Sequence, residues 1–120
     1  YKEDLTTETL VGADGATKIA AIMEKIRFDA PIEIGGNKVL AVRDYLKDIR
    51  RDIIDGSITK TGLPKSNVIY FELENNGWCC IRPSGTEPKI KFYYGVRSSS
   101  IENTENLLKK LKEGLLDLVV

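Results

Sequence analysis

Val68-Ile69-Tyr70-Phe71-Glu72-Leu73, Glu74-Asn75-Asn76-Gly77, Trp78-Cys79-Cys80-Ile81-Arg82 decides the fold of this chain. Two runs rich in branched and aromatic side chains flank an Asn-Gly pair, and that pair is the strongest short signal for a hairpin. Working outward, the second run passes through Pro83-Ser84-Gly85-Thr86-Glu87-Pro88 into Lys89–Val96. There Ile90, Phe92, Tyr94 and Val96 alternate with Lys89, Lys91, Tyr93 and Gly95. A period of two assigns the first set to the core and places Lys91 on the opposite face.

After this strand Ser98-Ser99-Ser100 punctuates the chain, and Ser99 with Glu102 has the form of a capping box. Thr104, Leu107, Leu108, Leu111, Leu115 and Leu118 then form an apolar stripe at helical spacing. Gly114 interrupts that helix, at a cost of about 1 kcal/mol relative to alanine. Upstream, Ile19, Ile22, Met23 and Ile26 predict a helix from about Ala13 to Arg27, with Asp14 as its cap and Pro31 beyond its end. Gly35-Gly36-Asn37 makes a turn, and residues 38–45 read as a strand. Residues 47–60 fit a strand continuation, an irregular excursion or a helix, with Asp48, Arg50, Arg51 and Asp52 as a solvated face or an interdomain contact. Residues 1–12 are polar and Thr-rich and read as a linker or the tail of a preceding domain, leaving 13–120 as the domain proper. The order of elements predicts an α+β layered fold, with about four antiparallel strands and helices on one face.

At 120 residues the chain is one domain that can bury roughly two thirds of its unfolded surface without staples. Cys79 and Cys80 are adjacent, where a strand points them to opposite faces and a bridge would be strained, which suits a reducing, cytoplasmic setting. There is no histidine and no Cys-x-x-Cys, so a zinc site has no ligands to draw on. Eighteen basic and eighteen acidic residues cancel, which argues against a nucleic-acid binder that depends on a basic field. No apolar run approaches the length of about 20 residues that spans a bilayer, so no membrane partner is expected. The first residues contain neither an initiator Met nor a signal-peptide core, and the chain reads as a piece of a longer protein.

The turn from Arg82 to Lys91 gathers the donors suited to an oxyanion. Arg82 offers a planar fork, Ser84 and Thr86 offer hydroxyls, Gly85 lets backbone N–H groups come close, and Lys89 and Lys91 add charge. Pro83 and Pro88 stiffen the turn and lower the entropy lost on gripping a ligand. The plainer alternative is a β-turn with Pro83 at its second position and Gly85 at a positive φ. Glu87 repels an anion unless it faces away or holds Arg82 or a lysine.

This stretch, Arg82-Pro83-Ser84-Gly85-Thr86-Glu87-Pro88-Lys89-Ile90-Lys91, resembles the sugar-phosphate-binding loop in the C-terminal domain of the phosphoglucomutase and phosphomannomutase family. The Leu63-Pro64-Lys65-Ser66-Asn67 lead-in, the Asn-Gly hairpin and the closing helix extend the likeness over residues 14–120. The resemblance implies a TATA-box-binding-protein-like fold, and it implies that Arg82, Ser84, Gly85, Thr86 and Lys91 hold the substrate's phosphate. Lys91 stands where the family often has arginine, which keeps the charge and loses the fork. Gly85 stands where many phosphomannomutases have asparagine, which leans toward phosphoglucomutase.

The implied reaction is an isomerisation of hexose 1-phosphate and hexose 6-phosphate, such as glucose 1-phosphate and glucose 6-phosphate, through a bisphosphate, with Mg²⁺ and a phosphoserine. Neither an Asp-Gly-Asp-Gly-Asp metal loop nor a Ser-His nucleophile segment is present in this chain. The resemblance therefore implies no catalytic or metal-binding residue here, an inactive isolated domain, and the other domains of the same chain as partners. The competing expectation is a free-standing α+β binding module for single-stranded RNA, with Tyr70, Phe71, Trp78 and Tyr93 as stacking platforms, or for a protein partner through the Leu-rich helix.

Overall fold

The structure, a computed structural model, describes residues 2–9, 14–84, 87–97 and 100–118. The elements run β1 (Lys2–Thr9), α1 (Gly15–Phe28), β2 (Glu33–Ile34), β3 (Asn37–Asp44), β4 (Ile49–Asp52), β5 (Ile58–Thr59), β6 (Ile69–Leu73), β7 (Trp78–Pro83), β8 (Lys89–Val96) and α2 (Ile101–Asp117). Seven strands form one antiparallel sheet in the order β1-β8-β7-β6-β3-β4-β5, and β2 pairs with β3. This is the α+β architecture read from the sequence, with a wider sheet than the expected four strands.

The added strands have physical reasons for being hard to read. β1 comes from the stretch expected as a linker or tail, and it pairs along its whole length with β8 at the sheet's edge. Its threonines suit a strand, but an edge strand facing solvent shows no apolar alternation. β2 and β5 have only two residues each, too few to show a period. The excursion at 47–60 resolves into β4, β5 and tight turns. Asp48, at φ +56°, accepts hydrogen bonds from the Thr61 hydroxyl (2.6 Å) and from the amides of Thr61 and Gly62 (3.1 Å each). Asp52 likewise accepts from Ile54 and Asp55 at the next turn.

The hairpin β6–β7 pairs Phe71 with Cys79 and Ile69 with Ile81, and β8 continues the rows with Tyr94 and Phe92. These side chains are fully buried and face both helices, so α1 and α2 cover one side of the sheet. Ile90, Phe92, Tyr94 and Val96 all lie in the core, as the alternation requires. The turn shifts by one residue: the left-handed positions are Asn75 and Asn76, closed by Gly77 N–H donating to the Glu74 carbonyl at 3.3 Å, while Gly77 itself is extended.

α1 buries Ile19, Met23 and Ile26 as its spacing dictates. Asp14 stands at its N-cap without a side-chain hydrogen bond, because its backbone is not in the extended region that aims a cap inward. In α2 the capping residue is Ser100 rather than Ser99, which lies outside the described residues; Ser100 Oγ accepts from the Asn103 amide at 3.1 Å. Ser100→Ala is expected to cost about 1 kcal/mol in a urea titration. Gly114 faces the β2–β3 turn, where Gly35 and Gly36 sit at φ +57° and +82°, and a Cβ there would lie 2.8 Å from the Gly35 Cα.

The side chain of Arg27, 3 % exposed, sits at the Asp44 end of β3, opposite the β2–β3 turn. Its Nε donates to Asp44 Oδ2 (2.9 Å) and its Nη2 to Asn67 Oδ1 (2.8 Å), so one side chain joins α1, β3 and the segment leading into β6. Removing one partner of a buried pair costs about 3–5 kcal/mol, because the other charge is left without compensation. Arg27→Ala is therefore expected to lower the urea midpoint far more than truncation of an exposed cation such as Lys2.

Candidate phosphate-binding loop

Alternation along β7 and β8 puts Arg82 and Lys91 on the face away from the helices, and the register makes them direct cross-strand neighbours. Such neighbours have Cβ atoms roughly 5 Å apart, and like charges placed this way repel. Among the described residues neither cation makes an ion pair, and Arg82 is exposed. The pair leaves a concentrated positive charge at the stem of the loop that two adjacent backbones hold in place.

The loop closes above this pair. Ser84 N–H donates to the Lys89 carbonyl (2.9 Å), and Lys89 N–H donates to the Glu87 carbonyl (2.7 Å). The Ser84 amide is therefore already used, and its hydroxyl is the group left for a ligand. Gly85 and Thr86 lie outside the described residues. Glu87 pairs with Lys89 at 3.1 Å, which neutralises one lysine and leaves Arg82 and Lys91 without a carboxylate among the described residues. On the helix side, Pro83, Glu87 and Asn67 border a cavity of about 170 Å³ floored by Ala16, Ala20 and Met23 of α1.

One row further along the same open face, Tyr70, Cys80 and Tyr93 are register partners. Burial pushes the Tyr70 hydroxyl up to about 12 and the Cys80 thiol up to about 11, so neither ionises near neutral pH. Cys79, on the core side, is likewise raised by burial, and both cysteines are free. Tyr70 stacks on Trp78 with 5.6 Å between ring centroids and 3° between planes, and Arg43 lies over Tyr70 at 4.8 Å. Phe71, expected as a stacking platform, is 0 % exposed and belongs to the core.

Beside these rings Glu72 accepts from Arg50 Nε (2.7 Å) and Arg43 Nε (3.0 Å). No spacing announces this ladder, because its members come from β3, β4 and β6 and meet only through the register. The Arg50 hydrogen bond, then that of Arg43, holds the Glu72 carboxyl below the ordinary carboxylate range against the opposing effect of burial. A carboxyl whose folded pKa is depressed contributes stability that is fully present above its unfolded pKa, about 4.3, and is lost as pH falls through the folded value. The urea midpoint is expected to fall on acidification below that value, and Glu72→Gln to make the fall shallower.

An antiparallel sheet backed by two helices, with Arg82 and Lys91 paired at the stem of the turn between β7 and β8, defines the α+β class of this domain. The model of the family described as phosphoglucomutase/phosphomannomutase, C-terminal domain, matches residues 16–106. The chain is 37 % identical to a phosphoglucomutase of Staphylococcus saprophyticus over 120 residues, covering 100 % of the chain and 21 % of that protein. It is 40 % identical over 103 residues to a Staphylococcus aureus phosphoglucomutase, covering 86 % of the chain and 18 % of that protein. A third, from Staphylococcus epidermidis, is 34 % identical over 119 residues, covering 98 % and 21 %. The chain belongs to the phosphoglucomutase/phosphomannomutase C-terminal domain family, and it spans about a fifth of the length of these relatives. No helix among the described residues is long and apolar enough to cross a membrane.

Proposed function

We propose that this chain is the substrate-phosphate-binding domain of a phosphoglucomutase-type enzyme that interconverts hexose 1-phosphate and hexose 6-phosphate through a bisphosphate. Arg82, Ser84, Gly85, Thr86 and Lys91 grip the phosphate that is not reacting, and the domain by itself is not catalytic. The observation that carries this reading is the cross-strand pairing of Arg82 with Lys91 at the loop stem, with no carboxylate paired to either among the described residues. Arg82 supplies two parallel donors, and Lys91 supplies a point charge beside them. The Ser84 hydroxyl adds a donor from the side.

Phosphoryl transfer depends on positioning and charge stabilisation, and gripping the distant phosphate fixes the reacting one. In this reading residues 1–12 bring the chain in from the preceding domain, and Lys2–Thr9 among them run along the sheet edge as β1. The working setting is the cytoplasm. Magnesium belongs with the other domains of the enzyme. Here no three potential metal-ligating side chains converge among the described residues, and Asp44 and Glu72 are committed to arginines, so this donor set does not fit the ion.

Titration of the isotope-labelled chain with glucose 6-phosphate, followed by amide resonances, tests the reading. Shifts are expected at Ser84, Gly85, Thr86 and Lys91. No shift there at millimolar ligand, with shifts at Tyr70 and Trp78 on adding an oligonucleotide, overturns it.

A further inference from the structure

The helices leave one part of their side of the sheet uncovered. Val42, Arg51 and Ile58 are register partners across β3, β4 and β5, so Arg51 and Ile58 point to the helix side, where α1 borders them only through its last residues, Arg27 and Phe28. Large apolar side chains collect on this wing: Phe28 is 74 % exposed, and Ile54 and Ile58 are 65 % exposed each. Two recesses flank Ile49 and Ile58, one of about 230 Å³ bordered by Phe28 and Arg51, the other of about 550 Å³ bordered by Lys60 and Lys65. Lys47 borders both, with its Nζ 4.8 Å from the centre of the Phe28 ring.

The charges on the wing do not balance. Around the recesses Lys47, Arg51, Lys60 and Lys65 stand against Asp48, which keeps its charge while accepting from Thr61 and Gly62, and against Asp44, which is paired with Arg27. Lys47, Arg51, Lys60 and Lys65 make no ion pair among the described residues. An apolar centre framed by an excess of cations is complementary to a protein surface whose apolar side chains are framed by carboxylates. A second copy is a poor occupant, because a two-fold interface sets the same patch against itself and opposes the same four cations.

We propose that the β4–β5 wing is a docking surface for a carboxylate-rimmed apolar face on the remaining part of the full-length polypeptide. This rests on reading the chain as one domain of a longer phosphoglucomutase-type enzyme, as relatives about five times its length suggest. The occupant fills both recesses and sets its carboxylates against Lys47, Arg51, Lys60 and Lys65.

Hydroxyl-radical footprinting of the full-length protein tests this, with Ile32 and Ile101, 77 % and 80 % exposed, as internal references. Phe28, Ile54 and Ile58 are expected to be oxidised roughly tenfold more slowly than these references, as befits side chains at the centre of an interface. Ile58→Asp, and separately Lys47→Glu with Lys65→Glu, is expected to restore fast oxidation of Phe28 with an unchanged circular dichroism melt. Oxidation of Phe28 and Ile58 at the reference rate overturns the proposal. So does protection that grows with protein concentration, which marks self-association, or protection that appears only with anionic lipid vesicles. Loss of substrate affinity in Arg82→Ala reports on the phosphate loop independently, so failure of the docking surface and failure of the phosphate reading give different results.

Discussion

On the proposed function, replacing Arg82 with alanine in the full-length protein is expected to raise KM for the hexose phosphate by about 10- to 100-fold while leaving the unfolding midpoint where it was. The size follows from charge-assisted hydrogen bonds, which contribute about 1.5–3 kcal/mol and correspond to roughly one to two powers of ten in affinity. The absence of a stability effect follows from the position of the side chain. Arg82 is exposed and makes no ion pair among the described residues, and its cross-strand neighbour is Lys91. Removing it therefore relieves a repulsion rather than breaking a bond. A grip on a phosphate far from the reacting bond is held equally in ground and transition states, so KM moves more than kcat. Arg82→Lys keeps the charge and loses the fork, so it should fall between wild type and alanine. A collapsed midpoint in Arg82→Ala would make the side chain structural, and an unchanged KM would remove it from the phosphate site.

The candidate loop is legible in the sequence because its residues are local. Arg82, Ser84 and Lys91 lie within ten residues, and alternation along β8 alone fixes the face of Lys91. The β6–β7 hairpin and both helices were legible for the same reason, since each carries its own period. What the chain concealed is what forms across long separations or within very short elements. β1 meets β8 across about eighty residues of intervening sequence and shows no apolar face. The Glu72 ladder needs the β3–β6 register, which shifts at a bulge between Val39 and Ala41 that no spacing announces. The cap falls at Ser100, one position beyond the Ser99–Glu102 pattern, because a serine hydroxyl accepting from the Asn103 amide caps the helix without a Glu three residues on. Glu87, the awkward member of the loop, found its place only when the turn brought Lys89 back within 3.1 Å.

Gly114→Ala is expected to destabilise the domain although helix propensity argues the reverse. In an exposed helix the change would stabilise by about 1 kcal/mol, since glycine loses more backbone freedom than alanine. Here the new methyl would meet Gly35 N outright and lie 2.8 Å from the Gly35 Cα and 3.3 Å from the Ile34 carbonyl carbon. All three are backbone atoms, so no side chain can rotate away. Nor can the turn step aside easily, because β2 pairs with β3 through Glu33–Lys38 and Ile34–Asn37, and Ile34 is buried in the core. Forcing α2 off the turn costs about 1–3 kcal/mol in the usual range of overpacking, and more where the backbone is the obstacle. The contact therefore outweighs the propensity, with a net loss of about 2 kcal/mol and a fall in Tm of roughly 8 °C for a domain of this size. Gly35→Ala should be worse, since it adds a positive φ of 57° to a methyl 2.8 Å from the Leu111 Cα. Because the two glycines touch each other, the double variant should cost less than the sum of the single ones. Calorimetry of the three variants decides the matter: a Tm that rises in Gly114→Ala would mean that α2 and the β2–β3 turn do not meet backbone to backbone.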